Sequence, residues 1–200
     1  VRPPPPTTLG WRLVCDRGRP LRRSGGGHVT SRVRARVGAA AARVFPAFSD
    51  PGFYDGLELP DAAPPEVLEI RDDLDPAEAD IRYRYEGDLP PGAGAFIKPE
   101  RLTWVERSLH HPDDHLIELT LTPDHYADRM RGSATHRIVA IEPGDGDPAG
   151  NDGPACWWET AGTITIRMPF VARAVERAIV EGLGENLRAL VQPLEAYCTD

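Results

Sequence analysis

The sequence predicts an α+β fold in which a curved antiparallel sheet wraps one long C-terminal helix. Three observations carry this reading. From residue 66 onward, strand-like segments follow one another with no long helix between them, which excludes a doubly wound parallel sheet. Two short helical pieces stand between the first strand and that run. The chain then ends on TITIRMPFVARAVERAIVEGLGENLRALVQPLEAYC, residues 163–198, where the apolar period changes once from that of a strand to that of a helix.

The first strand is HVTSRVRARV, residues 28–37. Val29, Ser31, Val33, Ala35 and Val37 share one face, and Thr30, Arg32, Arg34 and Arg36 share the other, which is assigned to solvent. GAAAARVFPAF follows with Ala41, Val44, Phe45 and Phe48 at helical spacing, and Pro46 keeps that helix short. Asp50-Pro51-Gly52 forces a turn, and FYDGL forms a second short helical piece. Strands then run over residues 66–72 and 80–86, separated by an acidic turn at Asp75-Pro76. A Pro/Gly connection spans residues 87–100, with a short apolar element at Phe96-Ile97. Residues 101–111 and 115–123 flank a tight Pro112-Asp113-Asp114 turn as a hairpin.

Residues 131–142 make another strand, and the flexible acidic loop 143–154 leads into the last one, which begins at Cys156. In that last strand Trp158, Thr160, Gly162, Ile164, Ile166 and Met168 share a parity. Ile164, Ile166 and Met168 are expected to face the helix, and Gly162 to keep the sheet side open. After Pro169, the residues Val171, Val175, Ile179, Leu183, Leu187, Leu190 and Leu194 form one apolar stripe. The helix is roughly 28 residues and roughly 42 Å long. Gly182 and Gly184 interrupt it, and Pro193 is expected to kink or end its last turns.

Two hundred residues suffice for one domain with a sizeable core. The net charge of -8 is uneven. Residues 1–27 hold six arginines and one aspartate, so residues 28–200 carry -13. That acidic part is a poor binder of a nucleic-acid backbone. Arginine supplies all the basic residues except Lys98, a bias that fits a GC-rich bacterial genome. Cys15, Cys156 and Cys198 form no paired motif and fit a reducing cytoplasm. No apolar run has the length of a membrane span, so no stable membrane insertion is expected. Residues 1–27 are read as a disordered Pro/Arg/Gly-rich tail and residues 28–200 as one domain.

Strand 28–37 followed by AAAARVFPAFSDPGFY resembles the opening of the START-like superfamily, also called SRPBCC or Bet v 1-like. Within it, the pair Val44-Phe45, the segment Ser49–Tyr54 and the ending TITIRMPFVARAVERAIVEGLGENLRAL resemble the DUF2505-like group. Phe170-Val171-Ala172-Arg173 departs from the small glycine-rich residues of that group. The resemblance implies a helix-grip fold with a chamber between sheet and helix, and it transfers no catalytic residue.

The residue pattern fits such a chamber. Phe45, Tyr83, Tyr85, Trp104 and Trp158 offer broad rings, while Gly132, Ala134, Gly162 and Ala178 leave room. His136, Thr160, Ile164, Ile166, Ile179 and Leu183 complete the expected lining. Each ring taken singly is accounted for by core packing. As a set, they point to binding of a small apolar molecule, lipid or polyketide-like, with no cofactor. For His136 the preferred reading is a satisfied core or edge histidine, and Thr160 is also read as a partner for its neighbouring strand.

An enzyme of cyclase or aromatase type is the alternative that some START-like relatives imply. Glu106 and His136 would then serve as base and acid, with Tyr83 or Tyr85 steering a carbonyl or enolate. A third reading is an interaction or membrane-surface adaptor led by the basic tail. LHHPDDH, with His110, His111, Asp113, Asp114 and His115, invites a metal site, but adjacent histidines on a strand point to opposite faces. There is no GxSxG elbow and no P-loop.

Overall fold

A computed structural model describes residues 27–89, 91–95, 97–142, 153–167 and 172–199, with the side chains of 27–29, 172–181 and 183 left out. The expected tail up to residue 26, most of the acidic loop (143–152), Phe96 and Met168 therefore lie outside the described residues.

The element order is β1 (Gly27–Val37), α1 (Ala41–Ala47), α2 (Pro51–Tyr54), β2 (Glu66–Arg71), β3 (Ala77–Arg84), β4 (Thr103–His111), β5 (Leu116–Pro123), β6 (Met130–Ala140), β7 (Cys156–Ile166) and α3 (Ala172–Thr199). The strands form one antiparallel sheet in the order β1-β7-β6-β5-β4-β3-β2. The last six strands are a simple meander, and β1 joins it beside β7. Antiparallel pairing favours the meander because each of these six strands pairs with its sequence neighbour.

The short elements follow from their residues. Asp50 caps α2 by accepting from the Gly52 backbone N–H at 2.9 Å, and Pro51 supplies the fixed φ that suits a first helical position. Pro112–Asp114 is a single 3-10 turn, and His115 takes the left-handed conformation (φ 46) that lets β5 return along β4. β3 is longer at its start and shorter at its end than the sequence predicts, so Tyr85 stands beyond the strand, bridged only to Ala62.

The main core lies between the sheet and α1, α2 and α3. It holds Val37, Val44, Phe48, Phe53, Ile117, Ile138, Trp158, Leu187 and Leu194. Leu187 and Leu194 are stripe residues of α3, and Leu190 packs beside them. Pro193 lies within α3, which continues to Thr199 without ending there. The helix C-terminus is tied to the short helices, with Tyr197 edge-on to Phe53 at 5.6 Å and Glu195 accepting from the Gly38 N–H at 2.6 Å.

One sequence expectation is corrected here. Arg36 is only 8% exposed, although it shares parity with the solvent-facing Arg32 and Arg34. It lies close enough to Glu195 of α3 that both approach the same point beside Gly38. Ile166 is fully buried in a second cluster with Ala93 and Ile97, and Ile164 packs against that cluster. The cause is the Pro/Gly connection, which forms a 3-10 turn at Ala93–Ala95 and folds over the end of β7.

Candidate functional site

The strand registers set inward-facing residues into cross-strand rows. One row runs His110, Ile117, His136, Thr160 and Val33. The next runs Ala79, Ser108, Leu119, Ala134, Gly162 and Ser31. A third runs Ile81, Glu106, Leu121, Gly132 and Ile164, and beyond it Tyr83 pairs with Trp104. Apart from Leu119, the middle row is made of small side chains between rows of larger ones. The helices rest on the large side chains, so space is left over the small row.

That space is a cavity of about 160 Å³. Phe48, Phe53, Tyr54, Leu57 and Leu59 wall it from the segment around α2, and Asn186, Leu187 and Leu190 wall it from α3. Tyr83 and Trp104 stack at its margin, with ring centroids 5.7 Å apart and planes inclined by 18°. Gly162 lines the cavity, but its lack of a side chain is required by a neighbour: a Cβ there would come 3.0 Å from the Ala134 Cβ.

Of the residues singled out from sequence, Tyr83, Trp104, Glu106, His136, Trp158, Thr160, Gly162 and Ile164 come together around this cavity. Three do not line it. Phe45 is core, its ring packed on His115 at 5.3 Å and His110 at 6.1 Å. Tyr85 donates its hydroxyl to the Asp88 carbonyl at 3.0 Å. Ile166 lies in the second cluster. Ile179 and Leu183 are on α3, with side chains outside the described residues. Sequence reasoning passed over Ser108 and the α2 wall. Ser108 was legible, since it shares the parity of Trp104 and Glu106, whereas the wall arises from a chain reversal at Asp50 that no periodicity reports.

The electrostatics of the cavity are one-sided. Among the described residues that line it there is no Lys or Arg, and Glu106 is the one carboxyl. Burial alone pushes that carboxyl up to about 7. The carboxyl in turn pushes the Tyr83 and Tyr54 phenols up, adding to the larger effect of their own burial. Burial also lowers His136 to about 3 and His110 to about 4, so both imidazoles are neutral at neutral pH.

Both histidines are held by hydroxyls. His136 Nδ1 is 2.9 Å from Thr160 Oγ1. His110 Nε2 is 2.8 Å from Ser108 Oγ, and its Nδ1 is 3.3 Å from Ser49 Oγ. Ser108 donates its hydroxyl proton to the Ala79 carbonyl, which assigns the His110 proton to Nε2 and leaves Nδ1 to accept from Ser49.

The remaining histidines of the LHHPDDH segment point elsewhere. His111 Nε2 lies 3.6 Å from Glu118, and His115 packs on Phe45. Among the described residues no group of three His, Cys, Asp or Glu side chains converges as a metal site. No helix among them is long and apolar enough to cross a membrane.

No protein-family model matches the chain, so the likeness to the DUF2505-like group rests on the quoted residue patterns alone. No curated protein matches it in sequence. Solved structures do match. The Zhui aromatase/cyclase from Streptomyces sp. R1128 superposes with a TM-score of 0.57 at 15% identity, over 87% of this chain and 94% of that one. A protein from Thermus thermophilus gives a TM-score of 0.57 at 14% identity, over 85% and 97% of the two chains. Norcoclaurine synthase from Thalictrum flavum gives 0.56 at 15% identity, over 94% and 99%. The curved seven-stranded sheet closed by α3 is thus the helix-grip, Bet v 1-like fold.

Proposed function

We propose that the chain binds a small, mostly apolar molecule in the cavity between sheet and α3. The observation that carries this is the cavity itself: about 160 Å³ of space with a largely aromatic and aliphatic lining and few polar groups. An engineered apolar cavity of about 150 Å³ accepts benzene. The size therefore favours a molecule of one or two rings over a long lipid chain or a many-ringed polyketide. The fold supports the reading by likeness, since norcoclaurine synthase has been solved with dopamine and hydroxybenzaldehyde.

Native mass spectrometry of the purified protein, followed by extraction of any copurified molecule, tests the proposal. A defined small molecule retained by the parent and lost in Trp104→Ala supports it. Failure of the protein to retain or take up any member of a one- and two-ring ligand panel overturns it.

One observation favours a second reading, an enzyme of general acid–base type. A carboxyl that titrates near neutrality inside a cavity can both take and return a proton. On this reading Glu106 carries the proton transfer. His136 is a weaker partner than its position implies, because a neutral imidazole with a lowered pKa is a poor acid reservoir at neutral pH. Turnover of the copurified molecule, abolished in Glu106→Gln with binding retained, distinguishes this reading from binding alone.

A further inference from the structure

We infer that the cavity is a receptor for an organic ammonium: a ring-sized apolar body carrying one protonated amine, with Glu106 as its counter-ion. The inference rests on the ligand-chamber reading above and deepens it by naming the ligand's charge.

The first observation is a carboxyl without a partner. Among the described residues Glu106 makes no hydrogen bond and no ion pair, and none of the described residues lining its cavity is a Lys or Arg. Glu106 is half-buried, and holding a carboxylate in a largely apolar cavity without a counter-charge is unfavourable, so proteins that do so pair it or leave it protonated. Here the outer face of the same strand shows the usual solution. Arg107, next in sequence, forks onto Asp80 with contacts of 2.8 and 2.7 Å. Among the described residues the inner face has a carboxyl and no such cation, and a ligand is what can supply one.

The second observation is the wall around it. Tyr83 and Trp104 stack at the cavity margin, and Phe48, Phe53 and Tyr54 form the α2 side. Aromatic faces carry negative potential and attract ammonium groups, more so when water is excluded.

The third observation is the charge of the described polar groups that share the space. Tyr83 comes from β3, Tyr54 from α2, His110 and Ser108 from β4, His136 from β6 and Asn186 from α3. All of these are neutral at neutral pH, so none of them competes for the carboxylate or welcomes an anion. Residues 28–200, Glu106 included, carry a net -13, a field that draws cations and repels carboxylates.

Binding is proton-linked. A protonated Glu106 releases its proton to solvent as the ammonium enters, and no other bond changes. Benzylamine, benzyl alcohol and benzoate are near-isosteric probes of positive, zero and negative charge for isothermal titration calorimetry on the full chain. At pH 8.0 benzylamine should bind about tenfold more tightly than benzyl alcohol, and benzoate more weakly than either. At pH 5.5 the benzylamine affinity should fall by about tenfold or more, since the carboxyl is then protonated. Near pH 6.5, two buffers of different ionisation enthalpy should report proton release.

Glu106→Gln keeps the shape and removes the charge, so the ratio of benzylamine to benzyl alcohol affinity should fall from about ten to about one. Benzylamine binding no tighter than benzyl alcohol in the parent overturns the ammonium assignment while leaving the chamber intact. So does a preference that survives Glu106→Gln, or proton uptake in place of release. If none of the three probes binds, the ammonium assignment and the chamber reading fall together.

Discussion

Trp104 on β4 lies over Tyr83 on β3 as a direct cross-strand partner, the two rings nearly parallel beside the carboxyl of Glu106. The pair forms the margin of the cavity because β3 and β4 both present this face inward at their far ends. An aromatic pair of this kind is worth about 0.5–1.5 kcal/mol beyond its buried area. Trp104→Ala should therefore lower stability by about 2–4 kcal/mol and weaken benzyl alcohol binding by about tenfold. Trp104→Phe should keep most of both. Urea denaturation and calorimetric titration check the two effects separately.

A larger side chain over the small row should close the chamber. Ala134 sits between Leu119 and Gly162 and lines the cavity. Ala134→Leu should fill part of the space, so ligand affinity falls by more than about tenfold while the melting temperature stays within a few degrees of the parent. If Ala134→Leu unfolds the protein, the space is not usable volume and the chamber reading fails with it.

Half-buried Glu106 and the buried histidines pull stability in opposite directions with pH. Glu106 holds its proton up to about 7 in the folded chain against an ordinary 4.5. Its contribution is complete below 4.5 and is lost as pH rises towards 7, about 3 kcal/mol in all. His136 and His110 have their pKa values depressed from 6.5 to about 3 and about 4. Their contributions are complete above 6.5 and are lost as pH falls. Between pH 4.5 and 6.5 two histidines oppose one glutamate, so stability should rise with pH. Glu106→Gln should steepen that rise and leave the protein more stable than the parent at pH 8. Denaturation midpoints from pH 4 to 8 measure it, and a Glu106→Gln variant less stable than the parent at pH 8 would contradict the burial of that carboxyl.

Tyr54 donates its hydroxyl to the Phe48 carbonyl at 2.9 Å in a fully buried contact that spans the turn between α1 and α2. Tyr54→Phe leaves that carbonyl unsatisfied and should cost about 1–3 kcal/mol. Because this turn carries Phe48 and Phe53 to the cavity, the variant should also weaken ligand binding several-fold. Thermal unfolding and calorimetry of the same preparation test both.

The succession of elements is legible in the residues alone, because periodicity is local. Alternation from Ser31 to Val37 and from Trp158 to Ile166, the turn at Pro112–Asp114 and the stripe through Leu187, Leu190 and Leu194 each follow from residues a few positions apart. Parity also put His136 and Trp158 on the inner face before any partner was known. Which inward residues meet is a matter of the folded chain. Alternation cannot say that Ser108, Ala134, Gly162 and Ser31 fall into one row and leave a gap, since that row is set by several strand registers acting together. Nor can it say that Ile166 is taken by Ala93 and Ile97, that Arg36 turns under the end of α3, or that Phe45 packs on histidines away from the cavity. Those outcomes depend on where long connections come to rest, and a chain reversal leaves no periodic trace in the residues it brings together.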